Sequence, residues 1–320
     1  MKIVYIFSNR QNAVSIEKKA NKFCHLLRDY GIHADIYNVS NYNLLKLLKL
    51  IKLLNRTDCI YVRDNFNPFC MIIAFLYSKK CVLECNRPLF YLHGSKSSIF
   101  QYVRNILNKV MYFRLRKFNC VTNEILESVK QGVPDDAQVI SLGNVHGYLG
   151  REYTFPTPRE EKEFDFAFLG DLTQPWQGRE RIFQCLRQNK DYRLLIIGRL
   201  VKIPSDIFDQ VVQIGIIEDA AEILKQLGRA KTGLSAMAMS KRRQKYISAL
   251  KHADYVAAGL PIISSAEDSF LINKYTYQVL SDDAELAPLE IINETVQMKQ
   301  IEVRNSAEQM FIGFVSWLQR

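Results

Sequence analysis

Lys251 and Asp254 stand three residues apart in the run SALKHADYVAAGLPIISS (248–265). On a helix that spacing places both on one face. A lysine there can neutralise a diphosphate, and an aspartate can accept hydrogen bonds from ribose hydroxyls, so the pair suits a nucleotide-sugar. The same spacing also suits a plain surface ion pair. Gly259 fits the residue that closes the helix, with Pro261 just beyond and a strand after it. The histidines His25, His33, His93, His146 and His252 are dispersed. His93, in the loop YLHGSKSS, is the candidate base, and an ordinary loop histidine is the alternative. LHGSKSS is not a Gly-x-Ser-x-Gly elbow, and GNVHGYLG lacks the dinucleotide spacing. Of seven cysteines, Cys81 and Cys85 form the one close pair. No second pair follows at zinc spacing, so the thiols read as reduced and buried. PDDA and SDDA are turn-like and do not follow an apolar strand as a metal-binding Asp-x-Asp does, so no metal is expected.

The elements that must position such a pair alternate along the chain. KIVYIFS, HADIYNV, DCIYVR, KCVLEC, CVTN and AQVISL read as strands separated by helical runs, among them a basic one, IFQYVRNILNKVMYFRLRKF. GREYTFPTPREEKEF carries two prolines and dense charge and reads as a linker. Beyond it the alternation restarts with DFAFLGD, YRLLIIGR, VVQIGII, TGLSAM and PIISS, a helix being read over YISALKHADYVAAG and another over VRNSAEQMFIGFVSWLQR. This implies an α/β chain of two facing, doubly wound Rossmann-like domains. The expected divisions are 1–150, a linker at 151–162, 163–300, and a C-terminal helix at 301–320 returning to the first domain. Ligands of such sheets sit at the carboxyl ends of the strands, which points to the cleft between the domains.

Charge is uneven. Residues 1–150 hold 21 Lys/Arg and 10 Asp/Glu, a net +11, while residues 151–320 hold 22 and 23, a net −1. A basic half attracts polyanions. No nucleic-acid motif is present, so an anionic membrane is the expected partner and nucleic acid is not. The longest apolar run, Phe69 to Tyr77, falls far short of a bilayer span, and MKIVYIFSN lacks a signal-peptide core. In YNLLKLLKLIKLLNR (42–56), Lys46, Lys49, Lys52 and Arg56 share an arc of roughly 120° at ~100° per residue. Leu44, Leu47, Leu48, Leu50, Ile51 and Leu54 take the opposite face, and Leu45 and Leu53 fall at the basic arc. The segment is either a sheet-packed helix with lysines in water or one that also meets an anionic bilayer through Lys46, Lys49 and Lys52.

The run 248–265 resembles the C-domain signature K-x-x-E-Y-x-A-x-G-x-P-I of the family-4-type glycosyltransferases, which have the GT-B fold. FAFLGDLTQPWQGRERIFQCL, YRLLIIGR and VVQIGIIED follow in that family's order, and AVSIEKKANKFCHLLRDYGIHADIY resembles its first helix and second strand. The resemblance implies a retaining, metal-independent transfer from a nucleotide-diphosphate sugar, as co-substrate with no cofactor, to a glycan or lipid-linked acceptor. It places the protein in the cytoplasm or at the inner membrane face, in cell-surface polysaccharide synthesis. Lys251, Asp254 and His93 are then the catalytic candidates. Gly170, Asp171, Thr173, Trp176, Gln177, Arg179, Gly198, Arg199, Ser248 and Gly259 are donor-side, and Arg63, Glu84, Asn86 and Arg87 acceptor-side. The chain departs from the family at several points. Of two glutamates eight apart, the first is Tyr246 and the second is shortened to Asp254. Gly-Arg-Leu reads Gly170-Asp171-Leu172, and Lys-Gly reads Gln177-Gly178, so two expected cations are missing. Arg179, Arg199 or the cluster SKRRQK (240–245) is their replacement, or that cluster is a solvated loop. The departures leave two other readings open: an inactive GT-B-like partner subunit of a glycan assembly, and a nucleotide-sugar epimerase.

Overall fold

The computed structural model describes residues 1–8, 14–40, 44–63, 68–86, 110, 112–150, 153–154, 162–242, 244–281, 284–289 and 293–320. They form two compact units, 1–146 with 309–320, and 147–308. Of the expected linker 151–162, only residues 153, 154 and 162 are described, and Thr154 is bonded into the second unit through Ala257 O.

The first unit is a parallel sheet of order β2-β1-β3-β4-β5-β6. Its strands are β1 (Lys2–Phe7), β2 (His33–Asn38), β3 (Cys59–Arg63), β4 (Cys81–Cys85), β5 (Lys117–Cys120) and β6 (Gln138–Ser141). Parallel strands need crossovers, here α1 (Val14–Asp29), α2 (Leu44–Leu54), α3 (Pro68–Leu76) and α4 (Asn123–Lys130). Alternate residues of β1 serve the two faces. Tyr5 stacks on Tyr61 at 5.1 Å and meets Phe23 of α1 edge-on at 5.6 Å. Val4 and Ile6 join Leu47, Leu50 and Leu54 of α2 and Ile73 of α3 in the other core. Burial on both faces is why these strands read as near-continuous apolar runs. Gly31, at φ 73°, closes α1 where a side chain would be strained.

The second unit is a parallel sheet of order β12-β11-β10-β7-β8-β9. Its strands are β7 (Phe164–Gly170), β8 (Leu194–Gly198), β9 (Val211–Ile214), β10 (Ala230–Leu234), β11 (Ile262–Ser264) and β12 (Tyr277–Val279). Its helices are α5 (Arg179–Gln188), α6 (Ala220–Leu227), capped by Asp219, α7 (Leu250–Ala257) and the start of α8 (Asn293–Gln319). In this unit Gln300 of α8 donates to Val256 O at 2.6 Å. The end of α8 belongs to the first unit, where Phe311 and Phe314 pack on Phe23 and Lys117 donates to Trp317 O.

Some boundaries differ from the sequence expectation. Lys117 and Phe118, read as the end of a helix, open β5. The helix read from Tyr246 starts at Leu250, because Ala249 is extended and Tyr246 bridges Glu267. β12 has three residues and too little pattern to be read, and α8 begins ten residues before Val303.

Where β7 and β10 leave register beyond Phe168↔Leu234, Tyr255 of α7 spans them. Its hydroxyl accepts from Leu169 N at 2.9 Å and donates to Leu234 O at 2.8 Å. The ring lies against Gly233, where an added Cβ would sit 2.7 Å from it. Gly233→Ala is expected to cost about 1–3 kcal/mol by overpacking. Tyr255→Phe, which strips two buried backbone groups of their partner, is expected to cost a similar ~1–3 kcal/mol. Urea unfolding of each variant checks both.

Candidate functional site

In the second unit the carboxyl ends of β7 and β8 finish on a register pair of glycines, Gly170 and Gly198. A Cβ on Gly198 would fall 2.2 Å from Gly170 O, so the two backbones touch only because neither carries a side chain. After β7, Asp171 accepts from Thr173 N and Oγ1 and from Gln174, and Arg199 lies 3.6 Å away. These bonds and Arg199 outweigh partial burial and hold the Asp171 carboxyl below its usual range. A single turn, Pro175–Gln177, then leads through Gly178 into α5. No side chain caps α5, which leaves its first amides to a ligand or water. Arg179, its first residue, is paired with Glu180. Arg242, from the 240–245 cluster, lies 4.7 Å over the Trp176 ring.

Lys251 comes to this turn from α7. Its ammonium donates to Gln177 Oε1 at 3.1 Å and sits 3.8 Å over the Phe168 ring. It forms no ion pair with Asp254, although both lie on one helical face. Burial alone pushes its pKa well below the ordinary lysine range. Asp254 is partly buried on the next turn, and Ser248 precedes the helix. Gly259 lies at the far end of α7 from Lys251 and closes that helix at φ 69°. The site therefore gathers Trp176, Gln177, the head of α5, Arg242 and Lys251: cations and an uncapped helix start around a turn, with a desolvated ammonium facing a neutral amide. Such a constellation has the chemistry to hold an anion.

In the first unit Arg63 and Glu84 are the last register pair of β3 and β4. Glu84, 2% exposed, accepts from Lys19 and Arg63 at 2.8 Å each and from the Tyr5 hydroxyl at 3.0 Å. Burial raises the Glu84 pKa, but Lys19 and Arg63 outweigh it and hold the carboxyl well below the carboxylate range. Burial brings Lys19 down to about 8 despite Glu84. His146 is buried nearby with neither ring nitrogen hydrogen-bonded, and burial, then Lys19, pushes its pKa well below the usual value. Asn86 donates to Glu84 O. Arg87 and His93 lie outside the described residues.

No protein-family model matches the chain, and no curated protein matches its sequence. Solved structures do. The chain is similar to sucrose-phosphate synthase from Thermosynechococcus elongatus, at 12% identity over 97% of this chain and 95% of that one, TM-score 0.65. It is similar to T4 phage BGT in complex with UDP and Mn2+, at 12% identity over the whole of both chains, TM-score 0.59. It is also similar to the lipopolysaccharide outer core galactosyltransferase WaaB, at 12% identity over 96% and 99%, TM-score 0.53. The chain has the GT-B fold. The two-sheet GT-B architecture expected from the sequence is the one observed.

Within this GT-B chain the structure adds a group that sequence spacing did not reveal. Ser235 lies 2.6 Å from His252 Nε2, and His252 Nδ1 lies 2.7 Å from Asp268. The three are a Ser-His-Asp series, but they are 0%, 0% and 3% exposed, so no substrate reaches them. They tie β10, α7 and the turn after β11 together. Glu84 is likewise spent on neighbours of its own unit. Glu84→Gln leaves Lys19 and Arg63 as buried cations without an anion, and about 3–5 kcal/mol of stability is expected to go. The depressed Glu84 pKa gives stability that is present above the unfolded carboxylate value of ~4.3 and is lost as pH falls below it. Urea unfolding at neutral and acid pH should show a smaller acid-side loss in Glu84→Gln than in the parent.

Proposed function

We propose that this chain is a glycosyltransferase that moves a sugar from a nucleotide-diphosphate donor held on its second unit. The observation that carries the reading is Lys251: a desolvated ammonium with no carboxylate partner among the described residues, joined through Gln177 to the uncapped head of α5. The GT-B fold supports it, and the similar T4 phage BGT was solved with UDP. As the bond between the anomeric carbon and the diphosphate oxygen breaks, the leaving diphosphate gains negative charge. Lys251 and the first amides of α5 stabilise that charge in place, where no solvent need reorganise. Asp254, one turn along, accepts from the ribose hydroxyls. On this reading the donor is a co-substrate and no cofactor is needed. Lys251 and the helix head do the work that a metal does elsewhere, so transfer is expected to continue in excess EDTA. Retention of configuration, with the leaving phosphate taking the acceptor proton, and a glycan or lipid-linked acceptor in polysaccharide synthesis are the finer parts of the proposal. They rest on the resemblance of residues 248–265.

One observation favours a second reading, a partner subunit that binds no donor. Asp171 and Glu180 are carboxylates at this turn, and they engage Arg199 and Arg179, the two cations expected to replace those the family carries there.

Thermal stability against UDP-, GDP-, ADP- and CMP-sugars decides between them. A bound donor is expected to add about 2.7 kcal/mol at a hundredfold excess over Kd. Lys251→Met should abolish that shift. It should also stabilise the ligand-free protein by about 1 kcal/mol, a stability cost of function being removed. The sign follows from the lowered pKa: protonating Lys251 opposes folding. That cost is complete below its folded pKa and vanishes as pH rises towards the ordinary ~10.4. No shift with any donor would give the partner-subunit reading the lead.

A further inference from the structure

One face of the first unit carries large apolar side chains in solvent. α2 and α3 lie on the same face of the sheet, because both cross over in the same direction, β2 to β3 and β3 to β4. Tyr77, just after α3, fastens them by donating to Ile51 O at 3.0 Å and Asn55 Oδ1 at 2.7 Å. Their inner sides share one core through Leu47, Leu50, Leu54 and Ile73. Their outer sides carry large apolar residues as well as lysines. Leu45 is 70% exposed, Leu48 54%, Ile72 44% and Leu76 57%. The helical turn before β5 extends the patch: Arg114 lies 4.4 Å over the Phe75 ring of α3, and Phe113 beside it is 67% exposed. Single exposed leucines are ordinary, but five large apolar side chains from three neighbouring segments mark a surface that something covers.

The charges on this face select what covers it. Lys46, Lys49 and Lys52 are exposed on α2, and neither α2 nor α3 contains an acidic residue. The partner is therefore anionic. Lysine is depleted in protein–protein interfaces. At a lipid surface, by contrast, aliphatic and aromatic side chains enter the acyl boundary while lysine stems reach back to the phosphates. We propose that this face docks the protein on an anionic phospholipid bilayer, with Leu45, Leu48 and Phe113 entering and Lys46, Lys49, Lys52 and Arg114 meeting headgroups. The proposal goes beyond donor binding and does not depend on it, since all its residues belong to the first unit.

Co-sedimentation with phosphatidylcholine vesicles, with and without phosphatidylglycerol, tests it. The parent is expected to pellet only with the anionic vesicles. K46E/K49E/K52E should lower partition about tenfold or more at low salt. L45S/L48S/F113S should lower it as well, and its deficit should persist at about 0.5 M salt, where screening removes the charge contribution. Far-UV circular dichroism and melting curves show that both variants fold, since every substituted residue is exposed. Lys251→Met should bind vesicles like the parent, whatever it does to donor binding. Three results would overturn the proposal: a parent that stays in the supernatant, variants that bind equally well, or a concentration-dependent dimer that L45S/L48S/F113S breaks.

Discussion

Parallel pairing is the constraint on which the rest of this molecule depends. Every strand pairing described in its two sheets is parallel. Such strands cannot be joined by tight turns, so each return crosses a face and buries it. Polar chemistry is thereby driven to the strand ends, which the two units use in opposite ways. In the first sheet a last register pair is Arg63 and Glu84, and Lys19 and the Tyr5 hydroxyl complete a closed ion network around it. In the second a last register pair is Gly170 and Gly198, with no side chain between the backbones. One end is filled by the protein itself. The other ends beside an uncapped helix and the Lys251 ammonium, which is bonded to the neutral Gln177 amide.

How far this was legible in the sequence depended on whether the signal was local. The alternation of strands and helices was local, because β-period and helix-period patterns each repeat within one element, and two doubly wound α/β domains followed from it; the GT-B class came from the resemblance carried by 248–265 and the runs before it. The head of α5 was visible for the same reason: Gln177-Gly178 interrupts the pattern before RERIFQCL. The ends of elements were less so. The helix read from Tyr246 lost its first turn because the main chain there bonds to Glu267, a partner in a later loop. The Lys/Leu helix shows the limit of a helical wheel. Leu48 falls on its apolar side by angle yet is 54% exposed, since the width of the buried stripe is set by what the helix packs against.

Side-chain networks were hidden for a different reason. Glu84 was an acceptor-side candidate at a strand end. What neutralises it comes from Lys19 on α1 and Arg63 on β3, at separations of 65 and 21 residues that no spacing rule covers. His252 looked like one of five scattered histidines, though it joins residues 17 before and 16 after it. In both cases the polar side chains find every partner within their own unit, and the arrangement stabilises the fold. The Ser235–His252–Asp268 series makes the point sharply. Its residue types and distances are those of a nucleophilic site, and burial alone removes that role.

The same test, applied to the buried Lys19 and the half-buried Lys251, separates structure from function. Lys19 and Lys251 are both desolvated, and burial lowers both pKa values. Lys19 has Glu84 at 2.8 Å, so its charge is neutralised within the fold and the pair closes on itself. Among the described residues Lys251 has the Gln177 amide oxygen and the face of Phe168, which solvate a cation weakly. A protein gains no stability from an ammonium left in that state; apolar side chains of similar volume would serve folding better. A cation so placed, held beside an uncapped helix head and reached across 74 residues of chain, is what the proposed donor site uses as its half of an interaction with a ligand anion. The proposed donor site turns on that asymmetry between two desolvated lysines.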